Sequence, residues 1–176
     1  MLILAAIFAL PACSGEEKAD EASADLENIT ALEEEYREVM ALGSSDPAVR
    51  RQIQDLTSAY ARFARNFPEH EKAPEYMFLA ANLHVDALGD GNTASALLDE
   101  LRINWPDHPQ AERALFLKGY IHANELNRLH RARYYYQTFL ETYPESDLRG
   151  LVEMELEFLG LSSEDILNRI QEEESE

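Results

Sequence analysis

Cysteine is nearly absent: Cys13 is the only one among 176 residues, so neither an internal disulfide nor a cysteine zinc cluster can form. Basic residues are scarce too, 15 Lys and Arg against 34 Asp and Glu, for a formal charge of −19. A duplex-binding face needs a surplus of cations to displace condensed counterions. The one basic run, Arg128, His130, Arg131 and Arg133, is what a solvated helix start carries beside acidic neighbours, and nucleic acid is not an expected partner. No apolar run approaches the roughly 20 residues that a membrane-crossing helix requires. Strict apolar alternation and β-branched density are missing, which excludes strands as the main element. There is no His-Glu-x-x-His, no Gly-x-Ser-x-Gly and no glycine-rich phosphate loop, so the sequence predicts no catalytic residue, no cofactor, no metal site and no small-molecule substrate.

The acidic charge is unevenly placed. Residues 1–42 hold ten acids and two bases, 43–150 fifteen and twelve, and 151–176 nine and one. A nearly neutral body therefore lies between acidic ends. Leu2 to Leu10 is uninterrupted and apolar, within the length of a signal-peptide core. It runs into Leu10-Pro11-Ala12-Cys13, which resembles the bacterial lipobox, with an aliphatic residue at −3 and a small one at −1. Pro11 departs from the usual small or β-branched residue. The resemblance implies residues 1–13 as signal peptide and lipobox, with Cys13 acylated as the membrane anchor. Residues 14–24 are polar and acidic and read as a tether. Ser14 fits outer-membrane sorting by resemblance to enterobacterial lipoproteins, so the expected location is the outer membrane, facing the periplasm. The Glu16-Glu17 pair resembles the acidic surface-export signal of Bacteroidetes lipoproteins, which makes surface exposure the alternative.

A repeat carries the remainder, 25–174. Phe67-Pro68, Trp105-Pro106 and Tyr143-Pro144 are each an aromatic followed by proline, 38 residues apart. Leu56, Ala94 and Ala132 keep that register, as do Tyr60, Leu98 and Tyr136, and then Phe63, Leu101 and Phe139. Separations of four and three place each set on one helical face. A second helix type follows each proline, where Ala81 and Gly119 are small enough for close helix approach. Start and stop residues divide the chain into helix pairs at 25–42 with 47–67, 71–88 with 92–105, 109–125 with 129–143, and 147–160 with 163–173. The last helix opens at Ser162-Ser163-Glu164-Asp165, alternates Ile166, Leu167 and Ile170 with charge, and reads as the solubilising cap that a stacked array needs. Residues 25–42 either dock on the stack or form a short coiled coil.

The fold expected is all-α, and the chain resembles the tetratricopeptide repeat proteins, best over Ala114 to Ser146, where Ala114, Gly119, Ala132, Tyr136 and Pro144 fall at signature positions. The family unit is 34 residues; the 38-residue unit here carries one extra residue in the inner turn and three after the proline. The resemblance implies a superhelix of about three to four antiparallel helix pairs with a C-terminal capping helix. The run Tyr136 to Ser146 resembles the BamD-type outer-membrane lipoproteins. The family's groove positions fall on Glu75, Phe78, Asn82, Val85 and Asp86, then on Arg113, Phe116, Tyr120, Ala123 and Asn124. Phe78, Phe116 and Tyr120 serve either as contact residues or as packing between repeats.

Histidines recur as well: His70 and His108, and His84 and His122, are each 38 apart. Inheritance through the repeat explains this spacing without a metal, and interfacial packing is the expected role of His84 and His122. The function implied is a protein-binding scaffold whose partner is another cell-envelope protein or peptide segment, with assembly of β-barrel proteins as the nearest analogy. Coordination of cell-wall or division machinery is the alternative, and metal binding through the paired histidines the remote one.

Overall fold

The computed structural model describes residues 13–42 and 47–173; the apolar leader, the interruption at Gly43 and the final three residues lie outside them. Eight helices follow one another: α1 (Cys13–Leu42), α2 (Pro47–Asn66), α3 (Ala73–Asp86), α4 (Gly91–Asn104), α5 (Pro109–Tyr120), α6 (Leu129–Thr142), α7 (Arg149–Glu157) and α8 (Ser163–Glu173). A π-helical turn, Ile121–Glu125, prolongs α5. Each helix from α1 to α6 packs on the next, α3 also touches α5, and α8 makes only sparse contact with the rest. This is the all-α, tetratricopeptide-like stack of helix pairs that the repeat implies. One boundary differs: α1 starts at Cys13 instead of residue 25, so the acidic segment 14–24 is helical. Its Glu, Lys and Ala content favours helix without an apolar stripe, and Ala22 already packs into the core. Ile29 is fully buried and α1 docks on α2.

The repeat is written in the backbone as well as the side chains. At each aromatic-proline pair the aromatic N–H donates to the carbonyl four residues earlier, Phe67 to Phe63, Trp105 to Leu101 and Tyr143 to Phe139, at 2.9, 2.9 and 2.8 Å. Proline then has no N–H to continue the ladder and the helix stops. The next helix begins with one further shared device: His70 Nδ1 accepts from the Lys72 N–H at 3.2 Å, His108 Nδ1 from Gln110 N–H at 3.2 Å, and Ser146 Oγ from Leu148 N–H at 3.0 Å. Helix ends also match. Asp90 N–H donates to the His84 carbonyl and Arg128 N–H to the His122 carbonyl, both at 2.7 Å. Each closure turns through a left-handed residue, Gly89 (φ 65°) and Asn127 (φ 48°), the two residue types that tolerate it best.

All nine stripe positions are buried: Leu56, Tyr60, Phe63, Ala94, Leu98, Leu101, Ala132, Tyr136 and Phe139. Burying a side chain of Leu or Phe size contributes about 1.5–3 kcal/mol, so this stripe is the main favourable contribution of each second helix. Repeats are tied across by Trp105 Nε1, which donates to the Pro68 carbonyl at 2.8 Å, and by Arg65, whose fork meets both oxygens of Glu100 at 2.7 Å. The closest approach is between α5 and α6, where a Cβ on Gly119 would overlap the ring of Tyr136. Tyr136 is fully buried and its ring has nowhere to retreat. Gly119→Ala is therefore expected to destabilise by about 1–3 kcal/mol through overpacking, and Gly119→Leu by more; an unchanged melting midpoint in either variant contradicts this contact.

Candidate functional site

The expected groove positions run along α3, and along α5 with its π-helical extension, at spacings of three, four, three and one, so each set shares a face of its helix. Glu75, Asp86, Arg113 and Asn124 are exposed, while Asn82 and Ala123 are half-buried. Val85 belongs to the core, and Phe78 packs against that core as a partly buried residue. Phe116 leans on Tyr136, ring centroids 6.2 Å apart. Of the three aromatics, Tyr120 stands furthest into solvent, 38 % exposed. Its backbone carbonyl accepts from the Asn124 amide at 3.1 Å.

A third column of equivalent positions lies on α7 and just beyond its end. Adding 38 to Arg113, Phe116, Tyr120 and Ala123 gives Leu151, Met154, Phe158 and Leu161. The aromatic-proline period carried one unit further would have found them. Here the column is apolar throughout, and Leu151, Met154 and Leu161 are exposed, Met154 at 46 %. Between columns two and three opens a cleft of about 460 Å³, bounded by Ala123, Asn124 and Leu129 on one side and by Met154, Phe158 and Leu161 on the other. Gly160 completes its floor in a left-handed turn (φ 86°); a Cβ there would press on Leu129. Beside the cleft, Arg128, His130 and Arg131 line a second, shallower depression.

Behind the groove, α4, α5 and α6 enclose charge. Lys118 is 1 % exposed; its Nζ donates to the Asp99 carboxylate and sits 4.5 Å from the centroid of the Tyr135 ring. His122, also 1 % exposed, lies tilted against the same Tyr135 ring at 5.0 Å, with Nε2 at 3.3 Å from Ser95 Oγ. Ser95 and His122 are both buried, so the pair is a packing contact between α4 and the π-turn. Burial pushes the imidazole pKa down to about 4, and the charges of Lys118, Arg128 and Arg131 push the same way, with Asp99 opposing. Burial also lowers His84, with Asp90 opposing. His70 and His108 are engaged as helix-start acceptors, and no group of three or more His, Cys, Asp or Glu is placed to hold a metal among the described residues.

A tetratricopeptide repeat family model matches residues 113–146. The match begins at the groove residue Arg113 and ends at Ser146, whose hydroxyl bonds to Glu112 across the repeat and starts the next turn. No curated protein and no solved structure matches the chain. A tetratricopeptide repeat is a unit of protein–protein interaction, and proteins built from it are typically non-enzymatic scaffolds.

The buried histidine makes stability depend on pH. Its folded pKa, about 4, lies below the ordinary imidazole value of 6.5, so between these values the unfolded chain binds the extra proton. The contribution is fully present above the unfolded value and is lost as pH falls toward the folded one, on the order of 3 kcal/mol in all. His122→Phe is expected to lose less stability than the parent between pH 7 and 4.5 in chemical denaturation; parallel profiles for the two proteins refute the assignment.

Proposed function

We propose that the protein is an outer-membrane lipoprotein, anchored through Cys13 and facing the periplasm, that binds another envelope protein along the groove of α3, α5 and α7. The observation carrying this reading is the groove itself, a row of equivalent positions on successive first helices that ends in an open cleft where Met154, Phe158 and Leu161 lie beside Asn124, Asn127 and Glu155. Stacked repeats use such surfaces to hold an extended segment or a helix of a partner. Support for the anchor is the resemblance of Leu10-Pro11-Ala12-Cys13 to a lipobox. Among the described residues no helix is long and apolar enough to cross a membrane, so attachment on this reading rests on acyl chains, of which two or more hold firmly. Assembly of β-barrel proteins is the role closest to the resemblance. Coordination of cell-wall or division machinery would be favoured by self-association through residues 25–42; in the structure Ile29 is fully buried and α1 docks on α2.

Two measurements test the proposal. Cys13→Ser should move the protein from the membrane fraction to the soluble or inner-membrane fraction, and retention in the outer membrane refutes the anchor. In-cell crosslinking of the tagged protein should recover a barrel-assembly factor, and that recovery should drop when Tyr120 and Met154 are both changed to Ala. Recovery of cell-wall enzymes instead transfers the scaffold to that machinery.

A further inference from the structure

We propose that the π-helical turn Ile121–Glu125 is a proton-operated latch on the groove: a neutral His122 holds the turn against α4 and α6, and a protonated His122 releases it and dismantles the cleft wall it carries. That wall is built on the turn. Ala123, Asn124 and Asn127 line the cleft, and all three lie within five residues of His122 along the chain. Tyr120, the groove aromatic that stands furthest into solvent, directly precedes the turn and takes the Asn124 amide on its carbonyl. Few contacts fasten the segment. Its backbone is closed by the Leu126 N–H on the Ile121 carbonyl at 3.0 Å and by the Arg128 N–H on the His122 carbonyl at 2.7 Å. Ile121 is fully buried, close enough to the start of α4 that a Cβ on Gly91 would lie 3.1 Å from its Cγ2. The other anchoring side chain is His122, sunk between Ser95 of α4 and Tyr135 of α6.

The seat suits only the neutral ring. Nε2 meets the Ser95 hydroxyl, while Nδ1 is buried and has no hydrogen-bond partner among the described residues. An unpaired lone pair there costs less than the N–H of a cation with nothing to accept it. Surrounding charge acts in the same sense. Lys118 faces the ring from α5, and Arg128 and Arg131 from the start of α6; against them stands Asp99 of α4, whose carboxylate is already taken by the Lys118 ammonium. Tyr135 meets His122 through its ring, and Glu125, on the turn itself, is exposed. A second proton on His122 therefore adds a cation to three others at a site almost without water. The preceding repeat shows that this is particular to one turn. His84 stands 38 residues earlier, and the residue equivalent to Arg128 there is Asp90, with its carboxylate 3.8 Å from His84 Nδ1. Both histidines accept the same closing N–H on their carbonyl, and the charge beside them has opposite sign. A proton at the α3 end finds a counterion; one at the α5 end finds cations. On the scaffold reading, a bound segment is held at neutral pH and let go in acid, but the latch itself does not rest on that reading.

Amide hydrogen exchange of the purified full chain at pH values from about 6.5 to about 4.5, read as protection factors so that the intrinsic pH dependence cancels, tests the latch with no partner present. Protection over residues 121–127 should fall about tenfold or more across that range, because an imidazole with a pKa of about 4 in the seat and 6.5 outside it favours opening at least that strongly. Amides of α2 and α3 should keep their protection. His122→Phe should abolish the fall. Arg128→Asp, which gives His122 the kind of neighbour that His84 has, should shrink it about threefold or more, and it carries the test if the phenylalanine variant does not fold. Protection that stays level into acid, a loss shared by α2 and α3, or the same local loss in either variant overturns the proposal. None of these outcomes bears on whether an envelope partner is recovered through Tyr120 and Met154.

Discussion

The approach of α5 to α6 at Gly119 sets the position of everything built on the third helix pair. Because position 119 has no side chain, the Tyr136 ring can lie directly against the α5 backbone. The same ring then carries its hydroxyl to Glu155 on α7 at 3.2 Å, so one side chain fixes the spacing of three consecutive helices. Burial and the neighbouring Glu155 both raise the phenol pKa, which keeps Tyr136 a neutral donor near neutral pH. Close contact at Gly119 also draws the preceding residue inward. Lys118 consequently lies beneath Tyr135 and reaches Asp99 on α4, and Phe116, one turn earlier, comes to rest against Tyr136.

Lys118 is the costly element of this arrangement. An ammonium with 1 % exposure loses nearly all its hydration, and a single carboxylate that remains half exposed returns only part of that free energy. The Tyr135 face adds a cation–π contact of about 0.5–2 kcal/mol. A buried pair of this kind is weak evidence for stability in itself. Its geometric consequence is firmer: only one register of α4 against α5 brings Asp99 to the ammonium, and only one placement of α6 brings the ring over it. Apolar residues at the same points would pack in several registers with similar energy. The cluster therefore specifies the arrangement of α4, α5 and α6, while the surrounding leucines and phenylalanines supply the burial.

What the sequence could and could not disclose follows the same division. Burial stripes are short-range patterns, so Leu56, Leu98 and Phe139 were readable from spacing alone, and the helix pairs with them. Helix starts were readable in position but not in kind, since His70, His108 and Ser146 differ as residues and agree only in offering an acceptor to the N–H two residues on. The start of α1 was missed because Glu16 to Glu21 carry helix propensity without amphipathic pattern, and pattern was the signal followed. Lys118 gave no sign of its burial: Asp99 is 19 residues away and nothing local marks it as a partner. The α7 column was readable, because Met154 and Phe158 sit one period beyond Phe116 and Tyr120.

Comparing the three columns shows how one repeat can keep a fold and alter a surface. Positions facing inward stay apolar at every step, as in Phe63, Leu101 and Phe139. Those facing the groove change chemistry at each step: Glu75 becomes Arg113 and then Leu151, and Asn82 becomes Tyr120 and then Phe158. The inward set is held by packing, where a change of one methylene is felt, whereas the exposed members of the outward set, such as Glu75, Arg113 and Leu151, are not constrained in that way. The result is a graded surface, acidic at α3, mixed at α5 and apolar at α7. A uniform groove would accept a bound segment in either direction. A graded one distinguishes the two, because reversing the segment places its apolar end over Glu75 and Asp86 and its polar end over Met154 and Phe158, and both mismatches cost desolvation without a compensating partner. For a segment bound as proposed, direction is then encoded in the drift between repeats, not in any single residue of the groove.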